Sequence, residues 1–297
     1  MHGCMYVEHQ INTRAQQNFE KELLERFGKE TVESWRKEFQ NATIQNDFVF
    51  CKTMQKLKLC AEVLRLFLQD VIKIKSISPQ STIDNFLKSK AVRLDVLVED
   101  YEGNHYDLEM QVVSRDSIAK RMRMYQASID VSTFEKGKDY KDAKKTIIIF
   151  ICISDPIGKG LPIYTFKNLC VEKPSIALDD DTIKIIVAPQ NWDKVEGDDA
   201  GLKALLKYLW DGSKTDNFTK ELDMCVRDIK YDQVISNDSL SYYFKMQDMK
   251  AIGRAEGREE GRAEGNLATA RKMKAKDCDV AFIAEVTGLA REQIEKL

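Results

Sequence analysis

The sequence predicts an α/β fold in which helices flank a mixed central sheet. Two segments, residues 92–99 and 105–112, alternate apolar and polar side chains as half-buried β-strands do. An apolar run, Lys145–Ile153, is rich in β-branched residues and suits a strand that is buried on both faces. Segments with helical spacing precede and follow the alternating pair. This order of helix, strand pair, helix and buried strand is typical of α/β domains.

The composition is that of a soluble globular protein. Hydrophobic residues make up 43% and charged residues 32% of the 297 residues. This length allows one large domain with an accessory segment, or two modest domains. The longest apolar run is too short to span a bilayer, and the N-terminus lacks the pattern of a signal peptide. We therefore expect no membrane-embedded segment.

The cysteines indicate the cellular compartment, and the net charge limits how the protein could bind nucleic acid. The seven cysteines are odd in number and form no CxxC pair, which indicates reduced thiols and a cytoplasmic location. The net charge of −2 means that any nucleic-acid surface must be local. Such a region runs from Arg115 to Lys145, where nine Lys/Arg and five Asp/Glu leave an excess of four positive charges.

The elements before the alternating pair are predicted to be helical. Residues 1–40 form an N-terminal helical extension, with two short helices around Gly28. A longer helix is expected from Leu57 to Ile72, where apolar residues recur at helical spacing and Glu62 lies on a neighbouring face. The segment Thr82–Ser89 is expected to be a connector or a partial strand.

The alternating pair is predicted to be a β-hairpin closed by the three-residue loop Tyr101–Gly103. Gly103 falls where the loop requires positive φ, which glycine adopts without a steric penalty. The loop sets which residues face each other across the two strands: Glu99 and His105, Asp95 and Glu109, Arg93 and Gln111. A loop one residue longer would turn these side chains to opposite faces.

The pair Asp95 and Glu109 predicts a metal site. Directly opposed residues have Cβ atoms about 4.5–5.5 Å apart. Two carboxylates this close repel unless a cation lies between them or one is protonated. With the backbone carbonyl near Met110 they offer two or three oxygen ligands to Mg²⁺, or to Mn²⁺. On spacing alone, two exposed strand carboxylates without a function remain an open interpretation.

The second half of the predicted domain continues the α/β order. Residues Ser117–Ser132 have helical spacing and follow the hairpin. After the buried run, Pro162–Asn168 and Thr182–Ala188 are further strand candidates, and the chain becomes helical from Leu202 onward.

The C-terminal segment, residues 251–297, begins with a four-residue repeat in which glycine recurs at 253, 257, 261 and 265. One interpretation is a charged linker or frayed helix, because each glycine costs a helix about 1 kcal/mol relative to alanine. The other is a glycine stripe that lets two helices approach closely in a homodimer. The last residues predict two short helices around Gly288. We favour a plain helical hairpin over a DNA-reading helix-turn-helix, since a third helix and a basic second helix are missing.

The residues of the hairpin and its surroundings resemble the PD-(D/E)xK nuclease superfamily. They are most similar to the PD-(D/E)xK family transposases, also called recombination-promoting nucleases. The resemblance covers roughly residues 41–297, so that 41–250 would be the nuclease-like domain. The matching segments, in order, are Asn46–Phe50, Arg93–Val96, Glu109–Gln111, Arg121–Gln126, Lys136–Tyr140, Asp155–Pro156, Ile163–Phe166 and the glycine/glutamate tail.

The resemblance implies a restriction-endonuclease-like core and Mg²⁺-dependent cleavage of DNA. Asp95 and Glu109 would be the metal ligands. Glu62 would stand at the first acidic position of the superfamily, although a surface glutamate is an equal alternative. Gln111 stands where many members have lysine. An amide can orient the attacking water, with the metal and Glu62, but it supplies neither positive charge nor a base. The E-x-Q form is nevertheless similar to that of the transposase-like members.

The helix after the hairpin supplies the implied DNA contacts. Arg121, Arg123 and Tyr125 would contact phosphates or a strand, although Tyr125 fits a core position equally well. Met122 and Met124 depart from the form that many relatives carry. The sequence therefore predicts a DNA endonuclease that promotes recombination. The alternative is an inactive nuclease-fold protein that binds DNA or a second copy of itself.

Overall fold

The computed structural model describes residues 18–80, 82–83, 92–112 and 117–297. The chain divides into two compact units, Met1–Ser239 and Leu240–Leu297. The part of the first helix, α1, that is described covers residues 18–27. The other helices are α2 Lys29–Asn41, α3 Asp47–Met54, α4 Leu57–Leu68, α5 Ile118–Thr133, α6 Ala200–Asp211, α7 Asn217–Tyr231, α8 Gln233–Lys274, α9 Val280–Thr287 and α10 Arg291–Glu295.

The first unit is built on a six-stranded mixed sheet with the order β1-β4-β5-β6-β8-β7. The pairs β5–β6 and β6–β8 are parallel, and the other pairs are antiparallel. A separate pair joins β2 to β3. The predicted α/β class with a mixed sheet is therefore confirmed. The strands are β1 Ile74–Pro79, β2 Thr82–Ile83, β3 Val92–Arg93, β4 Val96–Asp100, β5 His105–Gln111, β6 Thr146–Cys152, β7 Ile163–Phe166 and β8 Thr182–Val187.

The predicted hairpin register is confirmed between β4 and β5, where Glu99 pairs with His105 and Val96 with Leu108. Gly103 has a φ of 84°, as the loop requires. The Asp100 carboxylate fixes the turn, since its Oδ1 accepts hydrogen bonds from the backbone N–H groups of Glu102 and Asn104. Sequence therefore determined both the loop and the alignment of the two strands.

The predicted single strand 92–99 is wrong, because the chain bends at Leu94 and Asp95. Arg93 pairs with Thr82 in the small second sheet, so it does not face Gln111. At the bend the N–H of Asp95 donates to the Glu109 side chain, and its carbonyl accepts from the N–H of Gln80. Since both backbone groups of Asp95 have these partners, the strand leaves the regular ladder here.

Strand β5 lies between β4 and β6, and α5 covers the face that carries its acidic residues. Met122 and Ile129 of α5 pack in one core cluster with Ile148 and Phe150 of β6. In the parallel register these two β6 residues stand beside Asp107 and Glu109. Asp107 is 0% and Glu109 is 2% exposed. The interpretation of Glu109 as an exposed strand carboxylate is therefore wrong.

The glycine repeat lies inside the long helix α8, so the described structure is a helix there and not a linker. In the second unit, Ala270 near the end of α8 packs with Ile283 of α9 and Ile294 of α10. This end of α8 is the third helix that the sequence pattern lacked. The second helix of the hairpin, α10, has one basic and two acidic residues, so it is not basic, as expected.

None of the described helices is both long and apolar enough to cross a membrane.

Candidate active site

Asp95 and Glu109 are joined by two reciprocal hydrogen bonds between side chain and backbone. The N–H of Asp95 donates to Glu109 Oε1 at 2.7 Å, and the N–H of Met110 donates to Asp95 Oδ2 at 3.1 Å. The bend before β4 makes this exchange possible, because it frees the Asp95 N–H from the ladder. The structure therefore places the two predicted ligands side by side and fixes one oxygen of each.

Burial makes both carboxyl groups resist ionisation. It raises the pKa of Asp95 to about 6, against the opposing effect of the Met110 N–H. It also raises the pKa of Glu109 well above its usual range, and the charges of Asp107 and Asp95 add to the effect. The site therefore favours a state in which a proton, or a cation in its place, offsets the negative charges.

The donor set fits a Mg²⁺ ion held by two carboxylates. One oxygen of each side chain is bound to a backbone N–H. The other two, Asp95 Oδ1 and Glu109 Oε2, are the atoms that would contact a cation. Within the described residues, no group of three or more His, Cys, Asp or Glu side chains is arranged to hold a metal. The carbonyl of Met110, the expected third ligand, accepts from Gln111 Nε2 at 3.1 Å. Mg²⁺ suits such a sparse set, since it keeps several waters and binds substrate phosphates.

Gln111 and Arg121 are hydrogen bonded to each other beside these carboxylates. Arg121 Nη1 donates to Gln111 Oε1 at 2.7 Å, and its Nη2 donates to the Tyr125 hydroxyl at 3.1 Å. The same Nη2 lies 4.0 Å from Glu109 Oε2. The guanidinium carbon lies 5.4 Å and 5.3 Å from the ring centroids of Tyr125 and Phe150. Helix α5 thus places a cation at the centre of the site.

Glu62 and Arg123 are not brought to this centre by any contact among the described residues. Glu62 is on α4, where its two oxygens accept from the Nε and Nη2 of Arg65 at 2.8 Å and 2.7 Å. Arg123 is exposed on α5, two residues from Arg121. Their roles as a water-positioning acid and a DNA contact remain predictions.

Sequence reasoning gave no role to Asp107, which lies on the same face as Glu109. No donor lies in good hydrogen-bonding geometry with either of its oxygens within the described structure, and its polar neighbour is the Glu109 carboxyl group. Burial, and then the charge of Asp95, raise the pKa of Asp107 well above its usual range. One sequence feature pointed to Asp107: it is a carboxylate within a strand that pairs with the continuous apolar run of β6.

Asp47 is a second acidic residue that was given no role. It is the first residue of α3, whose N-cap Asn46 accepts from the Val49 N–H at 3.1 Å. Its charge contributes to the raised pKa of Asp95, after burial. The thiol of Cys51, also on α3, donates to the Asp95 carbonyl at 3.3 Å. The segment Asn46–Phe50 carried the resemblance, but its pattern did not show that its helix lies near Asp95.

Comparison with known families identifies one family for part of the chain. Residues 44–158 match the family described as PD-(D/E)XK nuclease family transposase. The matched range contains Asp95, Asp107, Glu109, Gln111 and Arg121, so the resemblance seen in the sequence is confirmed for this segment. The six-stranded mixed sheet is consistent with the implied restriction-endonuclease-like fold. No curated protein and no solved structure matches the chain.

Proposed function

Because residues 44–158 belong to the PD-(D/E)XK nuclease family transposases, we propose that this chain is a Mg²⁺-dependent endonuclease that hydrolyses phosphodiester bonds of DNA. The observation that carries the proposal is the reciprocal bonding of Asp95 and Glu109. It orients one oxygen of each buried carboxylate and leaves the other for a cation.

Asp95 and Glu109 would hold the Mg²⁺, and Mn²⁺ would serve in its place. When bound, the ion would neutralise charge on the phosphodiester and lower the pKa of the attacking water. The two carboxyl groups have raised pKa values, so they release protons as they take up the cation. Asp47 adds negative charge near Asp95 and strengthens the preference for a divalent ion.

The basic surface of α5 supports DNA as the substrate. Arg121 and Arg123 lie on this helix. Contacts from such residues to phosphates are independent of base sequence. We propose cleavage without a fixed recognition sequence, and a role of the resulting breaks in recombination.

The direct test is incubation of supercoiled plasmid with purified protein and Mg²⁺ or Mn²⁺. We expect nicked and linear products from the wild-type protein and none from Asp95→Ala. Glu102→Ala, an exposed carboxylate in the hairpin loop, is the matched control and should cleave normally. Equal cleavage by the wild type and Asp95→Ala would refute the proposal.

The alternative is an inactive nuclease-fold protein that binds DNA or a second copy of itself. It is favoured by one observation, the neutral amide of Gln111, which cannot act as a base. This alternative expects no cleavage with either ion. It also expects Asp95→Ala to leave DNA binding unchanged, which a gel-shift titration would measure.

Self-association through the tail is a separate proposal. A Cβ added at any of the glycines 253, 257, 261 and 265 would meet no atom within 4 Å, so this face of α8 is open. Leucine at two of these positions should strengthen the helix but block close approach of a second helix. Light scattering should then give a monomer for Gly257→Leu/Gly261→Leu and a dimer for wild type. Ala255→Leu/Ala263→Leu is the control on the opposite side of the helix, and identical masses for all three proteins would exclude the dimer.

The cytoplasmic location stays a prediction. The described cysteines, at positions 51, 60, 152, 170, 225 and 278, are all free thiols, which supports it.

A further inference from the structure

The geometry assigns Gln111 and Arg121 to one donor pair that contacts the phosphate being cleaved, and this assignment rests on the proposed nuclease function. It differs from the roles that the resemblance implied, in which Arg121 holds the DNA backbone and Gln111 orients the attacking water.

The neighbours of Gln111 fix which way its amide points. A guanidinium can only donate hydrogen bonds, so the atom that faces Arg121 Nη1 at 2.7 Å must be the amide oxygen. A backbone carbonyl can only accept, so the atom that faces the Met110 oxygen at 3.1 Å must be the nitrogen. The amide oxygen is therefore bound to a cation and is a poor acceptor for a water proton. What Gln111 can still offer a ligand is its second N–H.

Arg121 is held in place in a way that suits a fixed electrostatic role. Its side chain is only 23% exposed and lies against Gln111, Tyr125 and Phe150. Two of its five N–H groups are used in hydrogen bonds, which leaves three for a substrate oxygen. A preoriented donor loses little entropy when charge develops on the substrate, and this is the main source of electrostatic stabilisation in active sites. Arg123, exposed on the same helix, lacks these contacts in the described structure.

The charges around Arg121 indicate what it does there. The site contains three buried or half-buried carboxyl groups, Asp95, Asp107 and Glu109, and Arg121 Nη2 lies 4.0 Å from Glu109 Oε2. A phosphodiester anion that enters such a site is repelled by ionised carboxylates unless cations offset them. Arg121 supplies a permanent positive charge at this point, and the N–H of Gln111 lies beside it.

The reaction that this pair assists is the hydrolysis of a phosphodiester bond. The attacking water gives up a proton to solvent as its oxygen forms a bond to phosphorus. The bond from phosphorus to the leaving oxygen breaks, and the leaving oxygen takes up a proton from solvent water, so that one proton is released and one is consumed. Neither Gln111 nor Arg121 gives up or receives a proton. Their N–H groups contact the non-bridging oxygens and stabilise the charge that builds up as the bond breaks.

The test separates rate from binding in the full-length protein. Single-turnover cleavage at saturating DNA is measured for Arg121→Met, Gln111→Met and the double variant, and DNA affinity is measured with Ca²⁺ in place of Mg²⁺. We expect each single change to lower the rate by roughly 10²-fold, as for loss of one such donor. Affinity should change by less than about threefold, and the double variant should be little slower than the slower single variant, because the two residues act as a unit. Lys37→Met removes the same charge from an exposed site on α2, outside the basic segment, and should match wild type.

Metal affinity gives a readout that does not depend on cleavage. Loss of a positive charge 4.0 Å from Glu109 should tighten Mn²⁺ binding several-fold in Arg121→Met, whereas Arg121→Lys should stay near wild type. Electron paramagnetic resonance of free Mn²⁺ would measure this.

Three results would overturn the assignment while leaving the nuclease function intact. They are wild-type rates in Arg121→Met at saturating DNA, effects of the two changes that multiply independently, and unchanged Mn²⁺ affinity. Wild-type protein that does not cleave with Mg²⁺ or Mn²⁺ would instead refute the proposed function and this assignment with it. If Arg121→Met does not fold, Gln111→Met and Arg121→Lys decide the question, since wild-type rates in both would exclude the pair.

Discussion

Asp107 is a single buried residue whose negative charge must be neutralised, either by a bound ligand or by a proton. Its carboxyl group is fully buried, and no donor lies in good hydrogen-bonding geometry with either oxygen within the described structure. A carboxylate in such a place is kept neutral, because ionisation without a partner is far more costly than binding a proton. Asp107 therefore weakens the fold at neutral pH, which is expected of residues retained for a site and not for stability.

We predict that Asp107→Asn reduces the dependence of stability on pH. The folded pKa of Asp107 is raised, so its contribution to stability is fully present below the unfolded pKa of about 3.9 and is lost as the pH rises toward the folded value. The amide cannot ionise. The free energy of unfolding of the variant minus that of wild type should therefore be higher at pH 7 than at pH 4, by on the order of 1–3 kcal/mol. Urea unfolding with EDTA at the two pH values would measure this. Parallel curves for the two proteins would contradict it.

Metal binding should follow the titration of Asp95. Its pKa is raised to about 6, so at pH 5 a cation must displace a proton that is mostly absent at pH 7. We expect Mn²⁺ affinity to fall by up to about tenfold per pH unit below 6. Calorimetry in two buffers of different ionisation enthalpy would also detect the released proton. An affinity that is flat from pH 5 to 7 would exclude Asp95 as a ligand.

At the scale of elements, local chemistry predicted the hairpin, and packing determined the rest of the site. Gly103 and the alternation fixed the loop and the register between β4 and β5. The bend at Asp95 could not be predicted, because it depends on Gln80 and Glu109, which are distant in sequence. The approach of Asp47 and the burial of Asp107 likewise result from how α3 and α5 pack on the sheet. Sequence thus identified the two ligands but not their surroundings.

The loop that follows β6 is organised by one carboxylate. Asp155 accepts hydrogen bonds from the N–H groups of Ile157, Gly158 and Gly160, all at 2.9 Å. It also accepts from the Tyr164 hydroxyl at 2.7 Å and from Asn191 Nδ2 at 3.1 Å. These donors hold the pKa of Asp155 at about 2, despite the opposing effect of partial burial. The loop is therefore a rigid part of the sheet edge at which β5 and β6 end.

We predict that Asp155→Ala destabilises the protein by roughly 2–4 kcal/mol, because several donors lose their acceptor together. In wild type the contribution is present above the unfolded pKa of about 3.9 and is lost as the pH falls toward 2. Thermal unfolding at pH 7 would measure the change. Asp139→Ala, whose carboxylate accepts one long bond from the Lys141 N–H, is the control and should have little effect. A loss no larger than that of the control would show that the loop does not depend on Asp155.

The whole molecule has a net charge of −2, so its overall charge does not attract DNA. A protein that binds DNA through overall charge would be strongly basic, whereas here attraction must come from single surfaces such as α5. The tail has its own arginines, at 254, 258 and 262, balanced by neighbouring glutamates. DNA binding by α5 and DNA binding by the tail should therefore depend differently on salt concentration.

We predict a shallow salt dependence that is set by α5. Each phosphate neutralised contributes about −0.9 to the slope of log affinity against log salt. A few phosphate contacts from one helix, including those of Arg121 and Arg123, should give a slope of roughly −2 to −4. Arg123→Met should reduce the slope by about 1, because its exposed side chain would contact a phosphate. Fluorescence anisotropy with labelled duplex at several salt concentrations, in Ca²⁺, would measure it. Arg262→Met on α8 changes the net charge equally, so an equal effect would mean that the tail or the overall charge, and not α5, contacts the DNA.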